Sequence, residues 1–262
     1  MSTWELLDEE LTAWAKAGKQ VTLWWRDDDA IEVTPALDSL LSLQETHHIP
    51  LALAVIPAKV KPGLAKRLTN AAGVSVVQHG YAHLSHAEEG QKSSEFPLRR
   101  NKDEMLGETT DGWSRLETFK SREKVFVPPW NRITDILYPG LVDAGFSGIS
   151  AFGPRANKHA AASLKQVNTH VDIIDWRGTR GFAGESKVLG DMVEHLSARR
   201  LGKVDSSEPT GLLTHHLVHD PACWAFLERF LSWTDQRETV KWVTTEMAFR
   251  PWAGEDQDDG PA

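Results

Sequence analysis

The sequence has almost no cysteine and few tyrosines, and no surplus of positive charge. Among 262 residues there is one cysteine, Cys223, and there are two tyrosines. A lone cysteine excludes an intramolecular disulfide framework, suits a reducing compartment and reads as a packed small hydrophobe. Lysine and arginine number 29 against 37 aspartates and glutamates, a formal charge of −8. That balance argues against a surface that tracks the phosphates of nucleic acid or an anionic membrane. No run approaches the roughly eighteen apolar residues of a membrane span. The segment 1–10, MSTWELLDEE, lacks the basic-then-apolar pattern of a secretory signal. The expectation is a cytoplasmic protein that binds neither nucleic acid nor membrane, whose partner is a neutral or cationic small molecule or a sugar chain. The oligomeric state is not legible.

Tryptophan, by contrast, is abundant, with 11 in the chain. Most read as packing residues and a minority as groove walls, because sugar-binding clefts use flat aromatic faces. A hydrophobic content of 40% is enough to bury one large core. Short β-rich runs alternate with longer amphipathic stretches, the pattern of a parallel sheet with crossover helices. Strands are predicted over 21–26, 51–55, 74–78, 124–127, 148–151, 171–174 and 211–214, with an eighth over 241–245. Helices are predicted over 3–17, 34–46, 62–71, 101–119, 134–144, 185–198 and 221–237. Seven or eight such units predict one α/β domain over 1–252, a deformed (β/α) barrel of parallel strands with outer helices; an open doubly wound sheet is the alternative. The stretches 85–100 and 204–209 read as surface connections, and the acidic 253–262 as a disordered tail.

Polar clusters close these strands. The third runs into His79-Gly80-Tyr81-Ala82-His83; if that segment turns as a helix, both imidazoles share one face and can hold one metal ion. The first strand ends in Arg26-Asp27-Asp28-Asp29-Ala30, the fourth in Pro128-Pro129-Trp130-Asn131-Arg132, the sixth in Asp172-Ile173-Ile174-Asp175-Trp176, the seventh in Leu213-Thr214-His215-His216. Singly, each has a bland structural explanation. Arriving in order at successive strand ends, where parallel barrels carry their functional residues, they point to a site.

In this order the clusters resemble the motifs of the polysaccharide deacetylase family, the NodB-homology domain of carbohydrate esterase family 4. The resemblance spans about residues 20–220. It implies metal-dependent removal of an N-acetyl group from a carbohydrate or other small N-acylated substrate, with a divalent ion, zinc first, held by Asp29, His79 and His83. Asp28 would be the base and His215 the acid, with Asp175 supporting them and Trp130, Asn131, Arg132 and Trp176 lining the substrate groove. Two points stay open. The base and ligand are Asp28 and Asp29 if Ala30 stands for the family glycine, or Asp27 and Asp28 if Asp29 does; the acid is His215 or its neighbour His216. Where the family carries an arginine in the third motif this chain has Val127, and Arg132 is the expected substitute. A non-catalytic metal-containing barrel and a hydrolase of a non-sugar amide are the competing readings.

Overall fold

The computed structural model describes residues 2–250; the expected acidic tail over 253–262 and the end of the domain at 252 lie outside them. In chain order the elements are α1 (Thr3–Lys16), β1 (Val21–Ala30), α2 (Pro35–His47), β2 (Leu51–Val55), α3 (Pro62–Leu68), β3 (Val74–His79), α4 (Lys102–Arg115) and β4 (Arg122–Val127). There follow α5 (Tyr138–Asp143), β5 (Gly148–Ile149), β6 (His159–Ala161), β7 (Leu164–Gln166), β8 (Val171–Asp172), α6 (Glu185–Arg200), β9 (Thr210–Thr214), α7 (Pro221–Asp235), β10 (Val240–Trp242) and α8 (Thr245–Phe249). Helix starts follow local chemistry. Ser2 and Glu5 form a reciprocal capping box on α1, Thr34 caps α2 with Pro35 at its first position, and the Asp220 carboxylate accepts the Cys223 N–H at the start of α7.

The strands form one curled sheet in the order β6-β7-β5-β4-β3-β2-β1-β9-β8, with β10 beside the first half of β1. All pairings are parallel except the β6–β7 hairpin. This is the deformed (β/α) barrel rather than the open doubly wound sheet. Two details depart from expectation. The described residues contain ten strands, not seven or eight, because the polar hairpin of β6 and β7 carries no apolar run for a sequence reading to find. The helix predicted over 134–144 is a 3₁₀ turn, Asp135–Leu137, followed by the short α5. No helix among the described residues is long and apolar enough to cross a membrane.

Side chains alternate across the sheet, as a period of two requires. Leu23 and Trp25 of β1, Leu51, Leu53 and Val55 of β2, and Val74 and Val76 of β3 pack into the large cluster under α1, α2, α6 and α7. Trp24, Ala52, Ala54, Val77, Val125 and Val127 fill the barrel interior. The small Ala52 and Ala54 leave room for the indole of Trp24, whose Nε1 donates to the Asn168 carbonyl at 2.9 Å. This packing fixes which side chains of β1 can enter the barrel.

Candidate active site

On β1 the parity that turns Trp24 inward carries Arg26 and Asp28 to the same side. Asp27 turns toward the helix layer. It is fully buried and accepts bonds from the Thr214 hydroxyl at 2.6 Å, the His216 backbone N–H at 3.0 Å and the His216 ring. Burial alone would raise the Asp27 carboxyl, but the His216 imidazole beside it holds it below the usual range. His216 is raised in return, against its own burial. Asp27 and His216 thus clamp the end of β1 to the turn after β9, and neither belongs to the cluster that could hold a metal.

Asp29 lies at an irregularity in the register near the end of β1 with φ 73, a left-handed conformation that Asp adopts more readily than most residues. Its Oδ1 stands 3.1 Å from His79 Nε2 and 3.3 Å from His83 Nε2. Burial opposes the charge on Asp29, yet the His79 bond and the surrounding imidazoles hold its carboxyl below the ordinary range. His79 is pushed down by burial and up, more strongly, by Asp28 and Asp29. His83 is lowered by burial and by its neighbour His79.

The two histidines do not lie on a helix. β3 runs through His79, and Gly80 (φ +56) and His83 (φ 53) then form an irregular turn. The turn is held by Glu95 from the 85–100 connection, which accepts the N–H groups of Tyr81 at 3.0 Å and Ala82 at 2.7 Å. A Cβ at residue 80 would lie 2.1 Å from Glu95 Oε2 and 2.5 Å from Pro129, so both the space and the backbone conformation call for glycine. The pairing of Glu95 with this turn has no sequence signal, because it joins segments of unrelated pattern.

This donor set fits a divalent ion. His79 Nδ1 lies 3.0 Å from the Val127 carbonyl oxygen; a carbonyl only accepts, so Nδ1 donates there, and Nε2, which meets Asp29 Oδ1 at 3.1 Å, is the nitrogen that could turn a lone pair to an ion in place of a proton. Two imidazole nitrogens and one carboxylate oxygen, with ligand atoms within 4.8 Å of one another, are a donor set that could hold one such ion.

His215 approaches from the turn after β9, its Nε2 4.0 Å from Asp28 Oδ2. The indole of Trp176 packs edge-on against it with ring centroids 4.7 Å apart and donates Nε1–H to Asp172 Oδ2 at 2.7 Å. Asp172 is the half-buried acid that meets this pair, raised by desolvation and countered by His215. Asp175, the expected supporting acid, instead closes its own turn, accepting the N–H groups of Gly178 at 3.0 Å and Thr179 at 3.4 Å. It is one strand-length step too far along, past the end of β8 at Asp172.

The turn after β4 completes the enclosure. Trp130 and Asn131 both have positive φ, 55 and 57, and the Trp130 ring stands against His83 at 4.2 Å. The Asn131 side chain points inward, accepting from Arg26 Nη2 at 2.7 Å. Arg132 does not replace the arginine missing at Val127. It turns to the 85–100 connection and donates to the Ser93 carbonyl at 2.9 Å. Arg26 meets Asp28 instead, with Nη2 3.0 Å from Oδ2 and Nε 2.9 Å from Oδ1.

No protein-family model matches the sequence, nor does any curated protein. Solved structures do. A Mycobacterium smegmatis protein assigned as a polysaccharide deacetylase superposes with a TM-score of 0.60 at 16% identity, over 88% of this chain and 90% of its own. A mutant of a carbohydrate esterase family 4 pseudoenzyme with restored activity gives 0.56 at 16% identity, over 88% of this chain and 68% of its own. A family 4 acetyl xylan esterase from Clostridium thermocellum, in complex with a cobalt ion, gives 0.51 at 12% identity, over 87% and 90%. The chain has the polysaccharide deacetylase fold; at these identities, what is shared is the fold.

Proposed function

We propose that the chain is a metal-dependent hydrolase that removes an N-acetyl group from a carbohydrate or glycoconjugate. The observation that carries this reading is the convergence of Asp29, His79 and His83 on one point, with Asp28 and His215 facing each other across 4.0 Å. Structural neighbours that include a polysaccharide deacetylase and an acetyl xylan esterase support a carbohydrate acetyl substrate. The cobalt in one of them supports a resident divalent ion, zinc by the donor set. The buried Cys223, whose thiol burial pushes up to about 12, is inert and compatible with a cytoplasmic setting.

Asp29, His79 and His83 would hold the divalent ion, which would supply Lewis acidity to the acyl carbonyl and to a water molecule. Asp28 takes the proton of the attacking water. His215 gives a proton to the departing nitrogen, without which an amide expels its amine poorly. The products are acetate and a free sugar amine. Trp130, beside His83, and Trp176, beside His215, would offer the sugar its aromatic faces.

The test is incubation of the zinc-loaded protein with N-acetylated mono- and oligosaccharides and with O-acetylated xylan, measuring acetate and new primary amine. Equal acetate and amine from an N-acetyl sugar supports the proposal. Acetate without amine, or cleavage of a non-sugar amide alone, overturns the assigned bond or the sugar. No release from any substrate turns the reading to a non-catalytic barrel.

A further inference from the structure

We propose that Arg26 is the positioning residue for the base Asp28, taking over from β1 a task for which the fourth strand end offers only Val127; this rests on the function proposed above. Arg26 is fully buried, and i and i+2 on a strand share a face, so its guanidinium and the Asp28 carboxylate enter the barrel side by side. Nη2 donates to Asp28 Oδ2 at 3.0 Å. Nε also lies 2.9 Å from Oδ1, but its N–H is not aligned, so Oδ1 is a buried acceptor with no bonded donor. The guanidinium thus lies along both carboxylate oxygens, bonded to Oδ2 and beside Oδ1, which sets the rotamer of the group that acts as base.

The guanidinium is itself held in place. Nη1 donates to the Ser150 hydroxyl at 2.6 Å and to the carbonyls of Ser150 at 3.1 Å and Ala151 at 3.3 Å, and Nη2 to Asn131 Oδ1 at 2.7 Å. These acceptors come from the ends of β4 and β5, so one planar fork ties three strand ends around Asp28. Each acceptor apart from Asp28 is neutral, which leaves the arginine charge to balance Asp28 in a site where an unpaired buried charge is costly. Asn131 also becomes intelligible: it tolerates the left-handed backbone of that turn, where φ is 57, and supplies an oxygen that glycine would lack. Val127 packs into the barrel interior with Trp24, so a long side chain there would enter the same space as Arg26.

The test uses metal-loaded full-length protein and an N-acetyl substrate found active with wild type. Arg26→Met is expected to lower kcat by about 100-fold with KM within about threefold and metal content unchanged; an added alkylguanidinium recovers part of the rate, whereas Arg26→Lys recovers little. Arg26→Met combined with Val127→Arg is expected to regain activity relative to Arg26→Met alone. Asn131→Ala, a mild change that keeps Arg26, is expected to lower kcat several-fold at constant KM. A turnover of Arg26→Met within threefold of wild type, loss of metal along with activity, or a raised KM with unchanged kcat in Asn131→Ala would each overturn the assignment. If wild type cleaves no N-acetyl sugar, the functional reading fails separately. Arg26 is then judged by crystal structures alone, and an Asp28 side chain ordered in the same rotamer in wild type and Arg26→Met overturns it.

Discussion

Two regions of this molecule bring together the same side chains, two histidines and one carboxylate, with ligand atoms within 4.8 Å: Asp29, His79 and His83 at the C-terminal ends of the strands, and His170, His195 and Glu208 around the start of β9. By residue type both are metal sites. The backbone partner of one ring nitrogen separates them. At the mouth, His79 Nδ1 faces a carbonyl and must carry a proton, so an ion could replace the proton that Nε2 shares with Asp29 and still leave a neutral ring. In the second cluster His170 Nδ1 accepts the Gly211 N–H at 2.9 Å, so the ring's one proton sits on Nε2, which faces Glu208 Oε2 at 3.4 Å. A cation on that nitrogen would require an imidazolate. Burial pushes His195 down to about 2 and lowers His170 as well, and the nearby Arg199 adds to both effects. The rings stack as neutral imidazoles, centroids 3.6 Å apart. The second cluster thus reads as a structural network, and what separates the two is whether the backbone takes a proton from the ring or gives it one, not the residue list.

The largest effect that can break this contrast is at the metal. His79→Ala is expected to reduce bound zinc from one ion per chain to near zero, with affinity falling by more than the roughly 10–100-fold cost of losing a group that merely supports a ligand. Turnover is expected to fall with it. His195→Ala is expected to keep its zinc. Elemental analysis after dialysis against metal-free buffer reads both, and two ions in wild type, or zinc lost on removing His195, would end the distinction.

A smaller effect, on stability, separates the clusters the other way. Glu208 is fully buried, its Oε1 accepting the Asn168 N–H at 2.8 Å and its Oε2 the Arg155 N–H at 3.0 Å. Glu208→Gln sets an amide NH₂ against one of these donors, which is expected to cost about 1–3 kcal/mol in urea unfolding. Zinc content is expected to stay unchanged. Equal stability would mean that the carboxylate is not the acceptor that orders this end of the barrel.

The contrast also marks what the sequence could disclose. The order of the strand-end motifs was legible, and with it the barrel, because strand ends and apolar runs are local patterns. So was the company of His79 and His83, although not their backbone, since a four-residue spacing suits a tight turn as well as a helix. Asp27 could have been set apart from Asp28 by parity alone: predicting the first strand to end at residue 26 hid the alternation, whereas β1 continues to Ala30. Asp172 was passed over for Asp175 because the motif offers two acids, and only the folded turn says which one meets Trp176 and which one accepts the N–H groups of its own turn. The Arg26 contacts with Asn131 and Ser150 join segments more than a hundred residues apart, and tautomers depend on partners no pattern names.

The smallest effect tests the neutrality of the second cluster. His195 has its pKa lowered from 6.5 to about 2, so below pH 6.5 the unfolded chain binds a proton that the folded ring refuses. Stability therefore falls as pH falls through this window, by up to about 1.4 kcal/mol per pH unit, and the effect vanishes above pH 6.5, where neither state is protonated. His195→Phe keeps an aromatic ring against His170 but cannot titrate; its lost bond to the Thr210 hydroxyl is a constant offset at every pH. The difference in unfolding free energy between wild type and His195→Phe, measured from pH 8 to pH 5, is expected to be flat at the alkaline end and to shift in favour of the variant on acidification. A difference that stays constant across the range would mean that the folded ring accepts a proton, as it would if Glu208 served it as a counter-ion, and the two histidine clusters would then be electrostatically alike.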